Sequence, residues 1–301
     1  MRFLRFIGTL FAASVLIFLL MRAVPGNPAR VALGVNATDD AVEKLTHSMG
    51  LDRPLLVQYL EWMKGLFTGN FGISLSSQQD ITPLVLDRAQ VTLLLIGLAI
   101  ALALAGAIPM GILLARFRLP VLNAATQLGI AVPSFLVGIL LVAVFSVHLG
   151  WLPANGWQLP REGVSHLVLP VISLALVQGA MLTRYVRATL TEEMGKDYIR
   201  TARSLGESRT EALIRHGLRN AALPVLTVTG VQLSTLVVGA VVIENVFVIP
   251  GLGSMLLDAV STRDLITVQT LVMVFVTFTL TVNLLTDLAY RVIDPRLKEA
   301  R

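Results

Sequence analysis

Residues 91–115, VTLLLIGLAIALALAGAIPMGILLA, run for 25 positions without one Asp, Glu, Lys, Arg or His. A helix rises about 1.5 Å per residue and needs roughly 20 apolar residues to cross a hydrocarbon core. This stretch therefore reads as a membrane span, and the rest of the chain repeats the pattern. Residues 119–160 contain no Asp, Glu, Lys or Arg, and His148 is their only titratable side chain. Val164–Thr183, Asn220–Ile243 and Leu265–Thr286 are uncharged stretches of 20 to 24 residues. Phe6–Met21 is shorter, but the flanking Arg5 and Arg22 can snorkel to the interface. Six spans result. Composition agrees: 55% of the 301 residues are hydrophobic, 14% are charged, and mean hydropathy is +0.76. An ordinary soluble domain carries about a quarter charged residues. The absence of Cys excludes disulfide frameworks, thiol nucleophiles and Cys-ligated metals. Intrinsic disorder is excluded by the same apolar content.

Phe6–Met21 also has the outline of a signal peptide, because Arg2 and Arg5 precede an apolar run. No small-x-small cleavage site follows it. The next residues are Arg22-Ala23-Val24-Pro25-Gly26-Asn27, so a retained first span over residues 1–24 is expected. With the N-terminus inside, 16 of the 24 Lys and Arg fall on inner segments and 8 on outer ones. This asymmetry places both termini in the cytoplasm. It also accounts for the basic balance of charge without nucleic acid. Trp151 and Trp157 sit where an outer interfacial belt expects them.

Residues 25–90 form a long outer segment in which two short helices are expected. Thr38 and Asp39 have capping chemistry, and Gly50 closes a helix over roughly 40–49. Pro54 then opens a second helix, with Leu55, Leu56, Tyr59, Leu60, Met63, Leu66 and Phe67 on one face and Gln58, Glu61 and Lys64 on the other. Such a helix suits a cap packed on the spans or a docking surface for another protein. Pro250-Gly251-Leu252-Gly253 enforces a turn in a second outer stretch. Residues 91–301 form the core, with five spans and an inner loop at 191–221.

That inner loop is the most informative segment. Tyr198, Ile199, Ala202 and Leu205 recur at helical spacing, and Arg200 and Arg203 point away from them. Gly206 breaks the helix, and Ser208-Arg209-Thr210-Glu211 has the pattern of a capping box that starts another. Two short helices joined at a Gly make a compact basic knob, unless they form a reentrant helix lying in the membrane.

Arg200-Thr201-Ala202-Arg203-Ser204-Leu205-Gly206 resembles the degenerate EAA-x-x-x-G element of binding-protein-dependent ABC importer permeases. Arg215-His216-Gly217-Leu218-Arg219-Asn220-Ala221-Ala222-Leu223-Pro224 resembles the variant of the dipeptide/oligopeptide/nickel branch, first-subunit type. Arg200 replaces the family Glu, His216 the Ile and Arg219 the Pro, departures usual in that branch. Pro25-Gly26-Asn27-Pro28-Ala29, Met49-Gly50-Leu51-Asp52-Arg53-Pro54, Phe71-Gly72-Ile73-Ser74, Glu244-Asn245-Val246-Phe247 and Asp294-Pro295-Arg296 extend the resemblance over nearly the whole chain.

The resemblance implies an all-α polytopic membrane protein with six transmembrane helices and a type I ABC importer permease fold. The loop between spans four and five would be its cytoplasmic coupling helix. It implies that Arg200, Thr201, Ala202, Arg203, Leu205 and Gly206 contact a partner ATPase, supported by His216, Leu218, Arg219 and Asn220. It further implies a second related permease subunit, one or two ATPases that use ATP and Mg, an extracytoplasmic solute-binding protein, and residence in a bacterial inner membrane. Cargo would be di- or oligopeptides, with nickel or a metal–opine chelate as the alternative. The chain carries no G-x-x-x-x-G-K-[ST], so hydrolysis falls to the partner and no cofactor is expected on this chain.

Polar residues within spans tend to face a bundle interior. Gln127, Ser134, Gln178, Gln232 and Ser234 are the candidates for a pore lining, or for hydrogen bonds between helices. Pro109, Pro133 and Pro170 bend or loosen spans. No metal site is expected, since His148 and His166 stand apart near span ends. A gradient-driven secondary transporter would place coupling acids near the midplane, where none occur. An intramembrane hydrolase would need a Ser–His pair at depth or H-E-x-x-H, and neither is present.

Overall fold

The computed structural model describes residues 2–34, 37–117, 119–157 and 164–293. Arg118, counted above among the inner basic residues, and Asp294-Pro295-Arg296 lie outside them. The described elements are helical. They are α1 (Arg2–Ala23), α2 (Pro28–Leu33), α3 (Asp39–Ser48), α4 (Leu55–Thr68), α5 (Thr82–Arg116), α6 (Pro120–Ala131) and α7 (Ser134–Leu141). After these come α8 (Val164–Glu193), α9 (Asp197–Ser204), α10 (Arg209–Ala212), α11 (Leu218–Val246), α12 (Leu252–Ser261) and α13 (Leu265–Ile293). Among the described residues five helices are long and apolar enough to cross a membrane, and a bent pair supplies the sixth candidate.

That pair corrects the third span. The apolar run after Leu119 is not one rod. α6 and α7, which continues as a π-helical stretch over Val142–His148, meet at an angle of 104°. Pro133 stands at the break, and Ala131 and Val132 end α6 before it. Proline lacks the amide hydrogen that would continue the ladder, and it disfavours helical backbone in the residue before it. Pro109, Pro170 and Pro224 are instead absorbed inside α5, α8 and α11.

The chain divides into two units. One comprises Met1–Thr92 and Pro250–Thr281, the other Leu93–Ile249 and Val282–Arg301. In the first, α4 meets α1 through side chains. Phe18 meets the Tyr59 ring edge-on at 5.4 Å and stacks on Trp62 at 6.2 Å, and Ser14 and Tyr59 share a hydrogen bond at 2.8 Å. Among the described residues, 25–90 hold three helices rather than two, because Asn27 caps α2 through Ala29 N at 2.9 Å. Thr38 caps α3 as its sequence indicates.

The assigned faces of α4 need correction. Gln58, expected on the outward polar face, is buried, whereas Leu55, Leu56, Leu60 and Phe67 are exposed. An interfacial helix directs apolar side chains to lipid, so a polar side chain with good partners goes inward. Gln58 has those partners in the Leu51 and Arg53 carbonyls, at 3.1 and 2.7 Å.

Asp264 organises the rest of this unit. Its buried carboxylate accepts hydrogen bonds from the Leu75 amide at 3.1 Å and the Thr267 hydroxyl at 2.8 Å, and from the Ser74 hydroxyl. The 70–80 loop is thereby fixed to the first turn of α13, above a core of Ile81, Val85, Leu252, Met255 and Leu271.

In the second unit α8 and α11 pack side by side. The α11 backbone also comes close to the end of α13: a Cβ on Gly230 would fall 2.3 Å from Thr286 Oγ1. Such close approach through small residues is how helices associate where lipid removes the hydrophobic drive between them.

Candidate functional site: the loop between α8 and α11

The last turn of α8 ends on Glu193, which is buried although it belongs to the charged loop. A buried carboxylate must be paired. Lys196 Nζ lies 2.5 Å from Glu193 Oε1, and the Tyr198 hydroxyl donates to the other carboxylate oxygen. The hydrogen bond to Glu193 pushes the Lys196 ammonium pKa up. Burial, followed by the hydrogen bond to Glu193, pushes the Tyr198 phenol up.

These contacts set the start of α9, whose inner face buries Ile199 and Ala202 against Ala212 of α10. Ile199 is 2% exposed, worth about 1.5–3 kcal/mol where the loop meets water. Gly206 closes α9 with φ +104°, a left-handed backbone that L side chains resist, and no atom of the described residues lies within 4 Å of where its Cβ would be. Ser208 then accepts from the Glu211 amide at 3.2 Å and caps α10.

α10 is not a free second helix. It passes through a π-helical turn at Leu213–Gly217 into α11, giving one continuous rod over Arg209–Val246. Leu213 is fully buried with Val186, Leu190 and Ala221. Arg116, at the end of α5, donates through Nε to Thr210 Oγ1 at 2.9 Å. Glu207 sits 3.5 Å from Arg215 and 3.2 Å from His216. The knob is thus built on span ends and held by ionic contacts on both sides of Gly206.

The candidate residues separate by exposure. Arg200, Thr201, Arg203, Leu205 and Gly206 are all exposed on α9 and its end. Leu205 corrects the predicted stripe: it is 82% exposed because α9 stops at Ser204 and the next residue no longer follows the helical register. An apolar side chain this exposed, two residues after Arg203, is suited to insertion into a partner. Ala202 belongs to the knob's interior, and Leu218 is half-buried against the Leu213 cluster. His216 is held by Glu207, while Arg219 and Asn220 are exposed at the start of α11, with the Asn220 amide donating to the His216 carbonyl at 3.1 Å. Glu193, Glu207 and Arg116 do not stand out in the sequence; the only signal for Glu193 is a Lys and a Tyr three and five positions later.

The five candidates within spans are dispersed. Gln232 is buried and donates to Gln178 Oε1 at 2.8 Å, joining α11 to α8, and its amide lies 2.6 Å from Met181 Sδ. Gln127 is exposed on α6, and Ser134 is half-buried in the first turn of α7. Ser234 bonds its own helix through the Gly230 carbonyl. Ring Nδ1 of His166 is 2.9 Å from the Asn155 carbonyl oxygen. Among the described residues no three His, Asp or Glu come together as a metal site would require.

Residues 107–299 match the family model of the binding-protein-dependent transport system inner membrane component, and residues 1–96 match that of its N-terminal part. A glutathione transport system permease protein of Escherichia coli K12 is 37% identical over 304 residues, covering 99% of this chain and 97% of that protein. A Brucella suis biovar 1 protein, provisionally named a peptide permease, is 38% identical over 305 residues, covering 97% and 96%. Among solved structures, a chain of the inward-facing MetNI methionine ABC transporter aligns at TM-score 0.59 with 16% identity, covering 71% of this chain and 98% of that one. That likeness concerns the fold alone.

Proposed function

The chain belongs to the family of binding-protein-dependent transport system inner membrane components, and from that premise we propose how this ABC importer permease couples and what it carries. The α9–Gly206 knob seats on a cytoplasmic ATPase. Closure of the ATPases around ATP and Mg then moves α8 and α11, which enter and leave the knob without a flexible linker. The observation that carries this reading is the exposed Arg200, Arg203 and Leu205 on a helix pinned at its base by Glu193. A flexible loop would dissipate a push from below; α9, packed on α10 at the start of a 38-residue rod, transmits it.

The cargo is a short peptide. Full-length relatives named for glutathione, itself a tripeptide, and for peptides support this over nickel or a metal chelate. Six spans form half of a translocation path, completed by a second related permease, one or two ATPases and an extracytoplasmic binding protein. Both termini face the cytoplasm of a bacterial inner membrane, as the Lys and Arg asymmetry supports. The test is uptake of labelled glutathione and labelled dipeptide into vesicles holding the complete transporter. ATP-dependent accumulation is expected. Uptake driven by an ion gradient without ATP, or of nickel alone, contradicts the proposal.

A further inference from the structure

We propose that a cavity beside the end of the first span is an oxyanion site for a phosphate group, supplied by a membrane lipid headgroup or by free phosphate. The cavity, of about 330 Å³, lies wholly within the first unit and is lined by Arg22, Gln58, Glu61, Trp62 and Gln269. Gln58 sets its geometry. With its amide nitrogen held by two carbonyls, its Oε1 faces Arg22 and accepts from Nε at 3.0 Å. The guanidinium lies 4.9 Å over the Phe18 ring, and its two terminal nitrogens have no partner among the described residues.

Two further donors belong to residues that line the cavity. Trp62 Nε1 is buried and has no hydrogen-bond partner among the described residues. Gln269 is 3% exposed, and among the described residues its amide bonds nothing. Buried polar groups are rarely left unmade, because each costs about 1–3 kcal/mol. A guanidinium edge and an amide N–H₂ on residues that line one space suit an acceptor with several oxygens. The one carboxylate, Glu61, is already paired with Arg53, so the cavity retains the positive charge of Arg22.

Arg22 occupies the last turn of α1, a span, and therefore lies at the depth where a bilayer presents its phosphates. The outward face of α4 exposes Leu55, Leu56 and Leu60, which places acyl chains beside the same helix. Phosphate geometry is the one that Arg recognises bidentately.

Native mass spectrometry of the detergent-purified full chain tests this, with phosphatidylglycerol, diacylglycerol or inorganic phosphate added. Wild type is expected to retain phosphatidylglycerol and to lose diacylglycerol, which lacks the phosphate. Arg22→Gln should lower the bound fraction about tenfold, as loss of a charge-assisted donor implies. Gln269→Leu, which keeps the bulk and deletes the amide of a residue that lines the cavity, should lower it about threefold, and it decides the matter alone if the arginine variant fails to fold. Displacement of lipid by millimolar phosphate, with the same dependence on Arg22, supports the site and names the free anion as its source. Equal lipid retention by wild type and both variants, or equal retention of diacylglycerol, overturns the proposal.

Discussion

Glu193 and Lys196 approach to 2.5 Å at the point where α8 hands over to α9, and the carboxylate is the buried partner. Glu193→Gln should therefore free both Lys196 and Tyr198. Because the folded Lys196 pKa is raised above the ordinary 10.5, the pairing is complete below that value and is lost only as pH climbs through the higher folded pKa. In the variant, Lys196 returns to ordinary lysine behaviour. Acetylation of Lys196 at pH about 9 should then be several-fold faster than in wild type, as its neutral fraction rises. Unchanged reactivity would show that the pair does not hold in the membrane.

Gly206 separates backbone conformation from packing. Among the described residues nothing lies within 4 Å of its missing Cβ, yet its φ is +104°. Gly206→Ala should cost about 1–2 kcal/mol of local conformation and reduce transport in part. Gly206→Asp adds a negative charge to the docking face and should abolish transport. Both proteins should still insert, as membrane fractionation checks. Uptake at the wild-type rate by Gly206→Asp would count against the knob.

Asp264 joins segments distant in sequence, since its partner Ser74 lies 190 positions earlier. Asp264→Ala leaves the Leu75 amide and the Thr267 hydroxyl buried without an acceptor, at about 1–3 kcal/mol each. A lower thermal midpoint is expected, together with faster chymotryptic cleavage at Phe71 and Leu75. Asp264→Asn should do less, since one carbonyl oxygen remains to accept.

Gly230 and Thr286 form a contact with no room to spare. Gly230→Ala should destabilise by about 1–3 kcal/mol through overpacking. Thr286→Ala made together with it should recover part of that loss. Additive losses in thermal unfolding of the double variant would contradict the contact.

How far the sequence spoke varied by position. Spans were legible because bilayer thickness fixes how long an uncharged run must be, and Gly206, Thr38 and Ser208 because few residue types serve at those backbone positions. Pro133 was expected, with Pro109 and Pro170, to bend or loosen its span; that its break alone reaches 104° was hidden by the unbroken apolar composition on either side of it. Gln58 misled because polarity alone does not say which side of an interfacial helix meets protein. Leu205 misled because periodicity was carried one residue past the end of α9. Glu193 was invisible as a site residue, since its burial depends on how α8 and α9 meet.

The central claim is that the α9–Gly206 tip touches an ATPase. The chain has no cysteine, so Leu205→Cys introduces a unique attachment point on the most exposed apolar side chain of the knob. A short photoreactive crosslinker placed there in the assembled, transport-competent complex should yield an adduct identified by mass spectrometry as the cytoplasmic ATPase. If a transport-competent Leu205→Cys protein gives no ATPase adduct, or crosslinks only to an extracytoplasmic protein, the account is contradicted.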